Sequence, residues 1–129
     1  MEIKILPRET VLLAKNHQLL INWYINNLNF KIINNNSDIK YCNLETDSGI
    51  KIGIADMEQM GNENYSKRIM NTVILQICTN DLKKLFRGIK NNGGSVLFGP
   101  SYDEGDKYWY GSITDIEGNE IWVVDENCP

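Results

Sequence analysis

The chain contains very little histidine, cysteine or proline: one histidine, three cysteines and three prolines in 129 residues. The cysteines, Cys42, Cys78 and Cys128, are odd in number and have no motif spacing, so we expect no disulfide framework, and a reducing cytoplasm is the simplest location. A serine nucleophile is not indicated, because the motif Gly-x-Ser-x-Gly is absent. No cysteine has a histidine partner to activate it, so the sequence gives little support to nucleophilic catalysis.

Long apolar runs and an excess of positive charge are also absent. No apolar run approaches the length of a membrane span, and the residues from Met1 to Lys4 do not open a signal peptide, so we expect no membrane partner. The net charge is −4 and no cluster of lysine and arginine is apparent in the sequence. Because a nucleic-acid surface needs such a cluster, we expect no nucleic-acid partner. A chain of this length forms one domain with a core and is too short for two independent domains.

The same order of elements is predicted twice along the chain. The first half is predicted to contain a strand at 10–14, a helix capped by Asn16, strands at 30–33, 38–45 and 50–55, and turns at 34–37 and 46–49. The second half is predicted to contain a strand at 73–78, a helix capped by Asn80, a strand at 95–98 that Gly99 and Pro100 end, and a hairpin from 107 to 124. The predicted boundaries are modules at about 1–57 and 70–129, joined by a polar linker at about 58–69, in one domain of residues 1–129.

The repeat is also visible in the residues themselves. The segment Gly49–Asp56 aligns with Gly118–Asp125, glycine on glycine and aspartate on aspartate, and Thr10–Leu13 resembles Thr72–Leu75. A period of roughly 60 residues is too long for a solenoid, whose repeats run about 20–50 residues. The sequence therefore predicts an α+β fold with two tandem βαβββ modules, whose curved mixed sheets surround a cleft, and clefts of this kind hold small molecules.

Several motifs carry a family resemblance. The segment Gly93–Pro100, the pair Tyr110-Gly111 and the turn Asp115-x-x-Gly118-Asn119 resemble the vicinal oxygen chelate superfamily, with Ile116 in place of the usual proline of that turn. This superfamily includes glyoxalase I, bleomycin-sequestering proteins, fosfomycin-modifying enzymes and extradiol dioxygenases. In the first half, Trp23-Tyr24 and Leu28-Asn29-Phe30 resemble the family's Phe-Tyr and Leu-Gly-Phe. Asn29 is an acceptable substitute for that glycine because asparagine tolerates the left-handed conformation at a helix end.

The resemblance implies a metal site of four ligands, usually histidine and glutamate. Carried onto this chain, three of its positions fall on Glu9, Asp56 and Asp125, and the fourth on Asn71, Thr72 or Ile74, depending on the register of the second module. Three carboxylates suit a hard cation, whereas zinc, nickel and iron(II) centres usually take nitrogen donors. We therefore favour no metal cofactor, with a divalent metal at Glu9, Asp56 and Asp125 as the alternative; each acid is otherwise a solvated residue. His17 lies outside the expected cleft and is predicted at the surface.

Aromatic residues provide the better indication of a ligand. Strand alternation places Tyr108, Tyr110 and Ser112 on one face, and Gln76 is a candidate to present its amide to the same cavity. Rings on an open face stack on planar or cationic molecules, while their alternative role is packing in the core or a dimer interface. The candidate ligand-binding residues of the cleft are therefore Gln76, Tyr108, Tyr110, Ser112, Glu9, Asp56 and Asp125.

Two functions remain. The first is a protein that binds a small molecule in the cleft without a catalytic transition metal, like the antibiotic-sequestering members of the superfamily. The alternative is a divalent-metal-dependent lyase, isomerase or dioxygenase, against which the missing histidines count. The resemblance also implies a homodimer.

Overall fold

The structure is a computed structural model that describes residues 6–59 and 74–129. The first module contains β1 (Thr10–Ala14), α1 (His17–Leu28), β2 (Lys31–Asn36), β3 (Tyr41–Glu45) and β4 (Lys51–Asp56). The second contains β5 (Leu75–Thr79), α2 (Leu82–Asn91), β6 (Ser95–Asp103), β7 (Tyr108–Thr114) and β8 (Glu120–Asp125). The strand orders are β1-β4-β3-β2 and β5-β8-β7-β6, with the first pair parallel and the others antiparallel. The predicted α+β fold with two tandem βαβββ modules is confirmed.

Two predicted features near the start of the second module fall outside the described residues. Most of the predicted linker at 58–69 lies outside the described residues, and so do Asn71 and Thr72. Neither helix in the described ranges is long and apolar enough to cross a membrane.

Local chemistry explains both ends of α1. The Asn16 side chain accepts a hydrogen bond from the backbone N–H of Leu19 at 3.2 Å, which is the capping role predicted for it. At the other end Asn29 adopts φ 58°, ψ 31°, the left-handed conformation that the sequence predicted there. For α2 the predicted cap was wrong: Asp81, one residue after Asn80, accepts from the backbone N–H of Lys84 at 3.1 Å. Both residue types cap helices well, so the sequence alone did not distinguish these neighbours.

Two predicted strand boundaries were also wrong, and both lie on edge strands. The segment predicted as the turn 34–37 is strand as far as Asn36, and the turn covers 37–40. Gly99 and Pro100 do not end β6, which continues to Asp103 through two register shifts and a cis peptide bond between these residues. An edge strand pairs on one side only, so it accepts a proline that an inner strand would exclude.

The strand register identifies the equivalent residues of the two modules. Thr10 lies opposite Ile52, and Leu75 lies opposite Ile121. Ile52 and Ile121 each stand three residues after the aligned glycine, so Thr10 is equivalent to Leu75. The residue equivalent to Glu9 is therefore Ile74. The alignment of Thr10 with Thr72, which the similar residues of the two segments suggested, was wrong.

An apolar cluster of described residues runs through both modules. It lies between the helices and one face of each sheet, and its fully buried members include Leu20, Tyr24, Phe86, Ile54 and Val123. The opposite face of each sheet, called the open face here, carries Glu9, Tyr41 and Asn43 in the first module. In the second module it carries Phe98, Tyr108, Tyr110, Ser112, Trp122 and Gln76.

The turn at 115–119 joins the second module to α1 of the first. The buried Asp115 accepts a hydrogen bond from the Tyr24 hydroxyl at 3.0 Å. Glu117 accepts from the backbone N–H groups of Lys15 and Asn16 at 2.8 Å each. Burial, followed by the charge of Asp115 and the hydrogen bond to it, raises the pKa of Tyr24 far above its ordinary value. Tyr24 therefore stays protonated and keeps donating to Asp115.

Candidate functional site

The aromatic and polar residues predicted for the cleft lie together on the open face of the second sheet. Ser112 lies opposite Trp122, and Trp122 lies opposite Gln76, so these three side chains form one row across three strands. Tyr110 belongs to the next row and lies opposite Val124. Because side chains in register share a face, Tyr110, Ser112 and Gln76 are presented to the same side of the sheet.

Four aromatic rings surround this part of the open face. The ring centroids of Phe98 and Tyr110 are 6.2 Å apart, and those of Tyr108 and Tyr110 are 5.8 Å apart. Both distances are within the range of favourable aromatic pairs. Phe98 remains 47% exposed and Trp122 45% exposed, so nearly half of each of these large apolar side chains faces outward. The cluster is therefore a surface able to contact another molecule.

A carboxylate that the sequence analysis missed lies among these rings. Glu120 Oε2 accepts hydrogen bonds from the Ser112 hydroxyl at 2.7 Å and from the indole N–H of Trp122 at 2.9 Å. Ser112 is fully buried, so its hydroxyl is fixed on this oxygen. Glu120 stands two residues before Trp122, and strand alternation would have placed both on one face once the start of β8 was known.

Other acids lie near the same face. Asp103 is opposite Tyr108 at the end of the β6–β7 pair. Burial, followed by the charges of Cys128, Asp103 and Asp106, raises the pKa of Tyr108 above its ordinary value. The phenol thus stays protonated beside these acids. We call the set of Phe98, Tyr108, Tyr110, Trp122, Ser112, Glu120 and Gln76 the aromatic site.

Asp125 has a local structural role at the end of β8. Its Oδ2 accepts from the backbone N–H of Trp109 at 3.0 Å, and its Oδ1 accepts from the backbone N–H of Asn127 at 3.0 Å. These bonds tie the end of β8 to the start of β7 and to the turn that follows. Both oxygens of the carboxylate are engaged with the backbone, which differs from the ligand-binding role proposed for it from sequence.

Glu9 lies on the open face of the first sheet in a hydrogen-bonded cluster. Its carboxylate accepts from the Tyr41 hydroxyl and from the Asn43 side-chain amide, the latter at 2.9 Å to each oxygen. The cluster lies over Gly53, where a β-carbon would collide with the Tyr41 hydroxyl and the Glu9 carboxylate. In the second module the position equivalent to Gly53 is occupied by Trp122, so the two open faces differ in chemistry although their backbones repeat.

Because of the Glu9 cluster, we expect Tyr41 to lose its proton at a higher pH than an ordinary tyrosine. Burial, the hydrogen bond to Glu9 and the charge of that carboxylate raise the pKa of Tyr41 to about 12 from its ordinary value of 10.0. Because the protonated phenol is favoured in the folded state, this contribution to stability is complete below about pH 10 and is lost as the pH rises towards 12. The phenolate absorbance of the wild type minus that of Tyr41→Phe should have its midpoint near pH 12, and Glu9→Gln should lower that midpoint. A wild-type midpoint at the ordinary value would contradict the cluster.

The three acids considered as metal ligands do not converge. Glu9 precedes the start of β1, whereas Asp56 is opposite Ala14 at the other end of the β1–β4 pair, about 16 Å away for five residues of strand. Asp56 is buried on the core side, in phase with Ile54, and accepts from the backbone N–H of Gln59 at 3.1 Å. Asp125 belongs to the other sheet.

The fourth position of the implied metal site has no metal ligand either. The register places Ile74 where the second module would need a counterpart of Glu9, and isoleucine has no donor atom. Within residues 6–59 and 74–129, no three histidine, cysteine, aspartate or glutamate side chains form a group that could hold a metal ion. The described residues therefore do not fit the metal site that the family resemblance implies. The alternative prediction, a divalent metal held by Glu9, Asp56 and Asp125, was wrong because these three side chains do not form a group.

His17 is half-buried and so is not the surface residue that the sequence predicted. Its Nε2 lies 2.7 Å from the carbonyl oxygen of Ile54. A carbonyl oxygen only accepts, so Nε2 carries the proton and donates. The ring thereby ties the first residue of α1 to β4.

Comparisons with solved structures identify the fold. A glyoxalase family protein from Bacillus cereus superimposes with a TM-score of 0.75 at 10% identity, covering 96% of each chain. A hypothetical protein from S. aureus gives 0.73 at 19% identity, covering 95% of each chain. A glyoxalase/bleomycin resistance protein/dioxygenase family enzyme from Burkholderia phytofirmans gives 0.70 at 14% identity, covering 91% of this chain and 95% of that one. No protein-family model and no curated protein matches the sequence.

These similarities define the class of fold. The chain has the fold of the glyoxalase/bleomycin resistance protein/dioxygenase superfamily, which is the vicinal oxygen chelate fold that the sequence motifs predicted. At such low identity the similarity concerns the fold, and many chemistries share it.

Proposed function

We propose that this protein binds a small, planar, cationic molecule at the aromatic site and needs no catalytic transition metal to do so. The observation that supports this most directly is the Glu120 carboxylate, which Ser112 and Trp122 hold among exposed rings. Aromatic faces attract cations, and a fixed carboxylate adds a full opposite charge beside them. Gln76 lies in the same row as Ser112 and Trp122 and offers both donors and an acceptor for orientation.

Charge favours a cation over an anion at this surface. Asp103 lies beside Tyr108, and the chain as a whole carries a net charge of −4. An anionic ligand at the aromatic site would face Glu120 without a compensating positive charge among the residues that define the site. The antibiotic-sequestering members of the superfamily offer a parallel for binding without reaction, but the proposal depends on the residues named here.

We also propose a homodimer in a reducing cytoplasm. The exposed apolar side chains Phe98 and Trp122 lie on the open face of the second sheet, and the half-exposed Val11 lies on that of the first. A second copy would bury apolar area on these faces and make part of the wall of a cleft. Cys42, Cys78 and Cys128 are free thiols, which suits a reducing location. Neither a membrane nor a nucleic acid is proposed as a partner.

Binding of benzyltrimethylammonium, a planar ring that carries a fixed positive charge, tests the ligand class. Calorimetric titration should give saturable binding to EDTA-treated protein, with weaker binding of neutral benzyl alcohol and of anionic benzoate. We expect Glu120→Gln and Trp122→Ala each to weaken binding about tenfold, which corresponds to about 1.4 kcal/mol. The loss of charge explains the first effect, and the loss of a ring face explains the second.

Tyr102→Ala is the matched control for these variants. Tyr102 is an exposed tyrosine of the same hairpin, but it packs against Trp109 on the other side of the sheet, with ring centroids 5.1 Å apart. Its removal should leave the affinity for the cation unchanged. Light scattering before the titration gives the molar mass and shows whether binding is measured on a monomer or a dimer. Equal affinity for benzoate and benzyltrimethylammonium, or an unchanged affinity in Glu120→Gln, would refute the proposed ligand class.

A further inference from the structure

A concave feature lies on the helix side of the second sheet, away from the aromatic site. It is a cavity of about 310 Å³ between α2 and the strands β6 and β7. The residues that line it are Lys83, Phe86, Arg87, Lys90, Pro100 and Trp109. This volume is at the lower end of the range for pockets that hold small molecules. We call it the basic cavity.

Three positive charges of α2 converge on the basic cavity. Lys83, Arg87 and Lys90 are spaced i, i+4 and i+7, so they share one face of the helix. The statement from sequence that no cluster of lysine and arginine is apparent was wrong, because four of the eight residues from 83 to 90 are basic. Lys83 Nζ lies 3.9 Å from the ring centroid of Trp109, which anchors one charge on the opposite wall.

These charges have no carboxylate partners in the described part of the chain. The ion pairs found there involve Lys31 with Asp47 and Lys51 with Glu45, both in the first module. Like charges four residues apart on a helix repel one another, so Lys83 and Arg87 cost a little stability unless an anion lies between them. An otherwise acidic protein therefore concentrates positive charge around one cavity.

The remaining lining adds an apolar wall to these charges. Phe86 is buried at the base, where it packs beneath β7, and Trp109 and Pro100 face the cavity from the strands. A guanidinium group binds two oxygens of a phosphate with parallel hydrogen bonds, and lysine ammonium groups add donors that reorient freely. The combination fits a doubly charged oxyanion attached to a flat apolar body.

We propose that the basic cavity binds an aryl phosphomonoester, with the phosphate between Lys83, Arg87 and Lys90 and the ring against Trp109 and Pro100. This site is independent of the function proposed above, because it lies on the opposite side of the sheet and selects the opposite charge. The two sites are therefore tested separately, with different probes and different variants.

Phenyl phosphate is the probe, and the indole N–H signals of isotope-labelled wild-type protein are the readout. We expect the Trp109 signal to shift saturably while the Trp122 signal stays in place. Inorganic phosphate should bind more weakly because it lacks the ring, and phenol should not bind because it lacks the charge. The affinity for phenyl phosphate should fall as the salt concentration is raised, as expected for exposed charges.

Substitutions in α2 test whether its basic side chains bind the phosphate. The double variant Arg87→Gln/Lys90→Gln should bind phenyl phosphate at least about tenfold more weakly. Lys84→Gln is the matched control, since Lys84 is an exposed lysine of the same helix that does not line the cavity; its affinity should be that of the wild type. Unchanged affinity in the double variant, an equal loss in Lys84→Gln, or a shift of Trp122 instead of Trp109 would overturn the proposal.

Discussion

Replacement of Asp115 by alanine is expected to destabilise the protein by about 3–5 kcal/mol. The carboxylate is only 2% exposed and accepts four hydrogen bonds. Two come from the backbone N–H groups of Glu117 and Asn119, at 2.9 and 3.0 Å. The others come from the Asn119 side chain at 2.7 Å and the Tyr24 hydroxyl at 3.0 Å. Alanine would leave these donors without their acceptor at a site that water hardly reaches, and unsatisfied buried donors are costly.

The position of Asp115 between the two modules increases the expected loss. Its turn also presents Glu117 to the backbone N–H groups of Lys15 and Asn16, just before α1. A turn that loses Asp115 loses the bonds that shape it, so the contact of Glu117 with the first module weakens as well. Urea unfolding followed by circular dichroism and by tryptophan fluorescence measures the loss and shows whether both modules still unfold together.

Two other variants provide smaller expected losses of stability for comparison with Asp115→Ala. Tyr24→Phe removes one of the four donors and should cost about 1–2 kcal/mol. Asp47→Ala removes an aspartate that is bonded to Lys31 at 2.8 Å, but its side chain is 83% exposed, so the loss should be below about 1 kcal/mol. The proposed role of Asp115 would be wrong if its replacement cost no more than that of Asp47.

Features that depend on local sequence were predicted well. Strand β1, the cap at Asn16 and the left-handed Asn29 follow from residues within one turn of the chain, and all three are found in the structure. The alternation that placed Tyr110 and Ser112 on one face needs only the period of a strand. The fold class was predictable for the same reason, since the same local pattern occurs twice.

Features that depend on contacts between distant residues were not predicted. The register of β5 is set by its pairing with β8, so the sequence left the counterpart of Glu9 open among three residues. Glu9 and Asp56 are far apart because β1 pairs with β4 in parallel. The amino-acid sequence does not specify the register of that pairing. Glu120 and Asp115 were missed as partners of Ser112 and Tyr24 for the same reason, because hydrogen bonds across strands and modules leave no periodic signal.

Gly111→Ala is the second substitution for which we expect a large effect, a loss of about 3 kcal/mol. Gly111 lies on the helix side of β7, opposite Val123. A β-carbon there would lie 2.6 Å from two ring carbons of Phe86 and 2.8 Å from the carbonyl oxygen of Phe98. Phe86 is buried in the core and the carbonyl belongs to the neighbouring strand, so neither moves without disturbing its own packing.

Gly88→Ala is the control, and the effect should have the opposite sign. Gly88 lies inside α2, and a β-carbon there would have no described atom within 4 Å. Alanine in a helix interior is favoured over glycine by about 0.5–1 kcal/mol, so this variant should unfold at a higher urea concentration than the wild type. If both variants lost stability equally, the loss would come from glycine replacement in general. Opposite shifts would instead show that Gly111 is required because α2 packs so closely on β7 that no side chain fits between them.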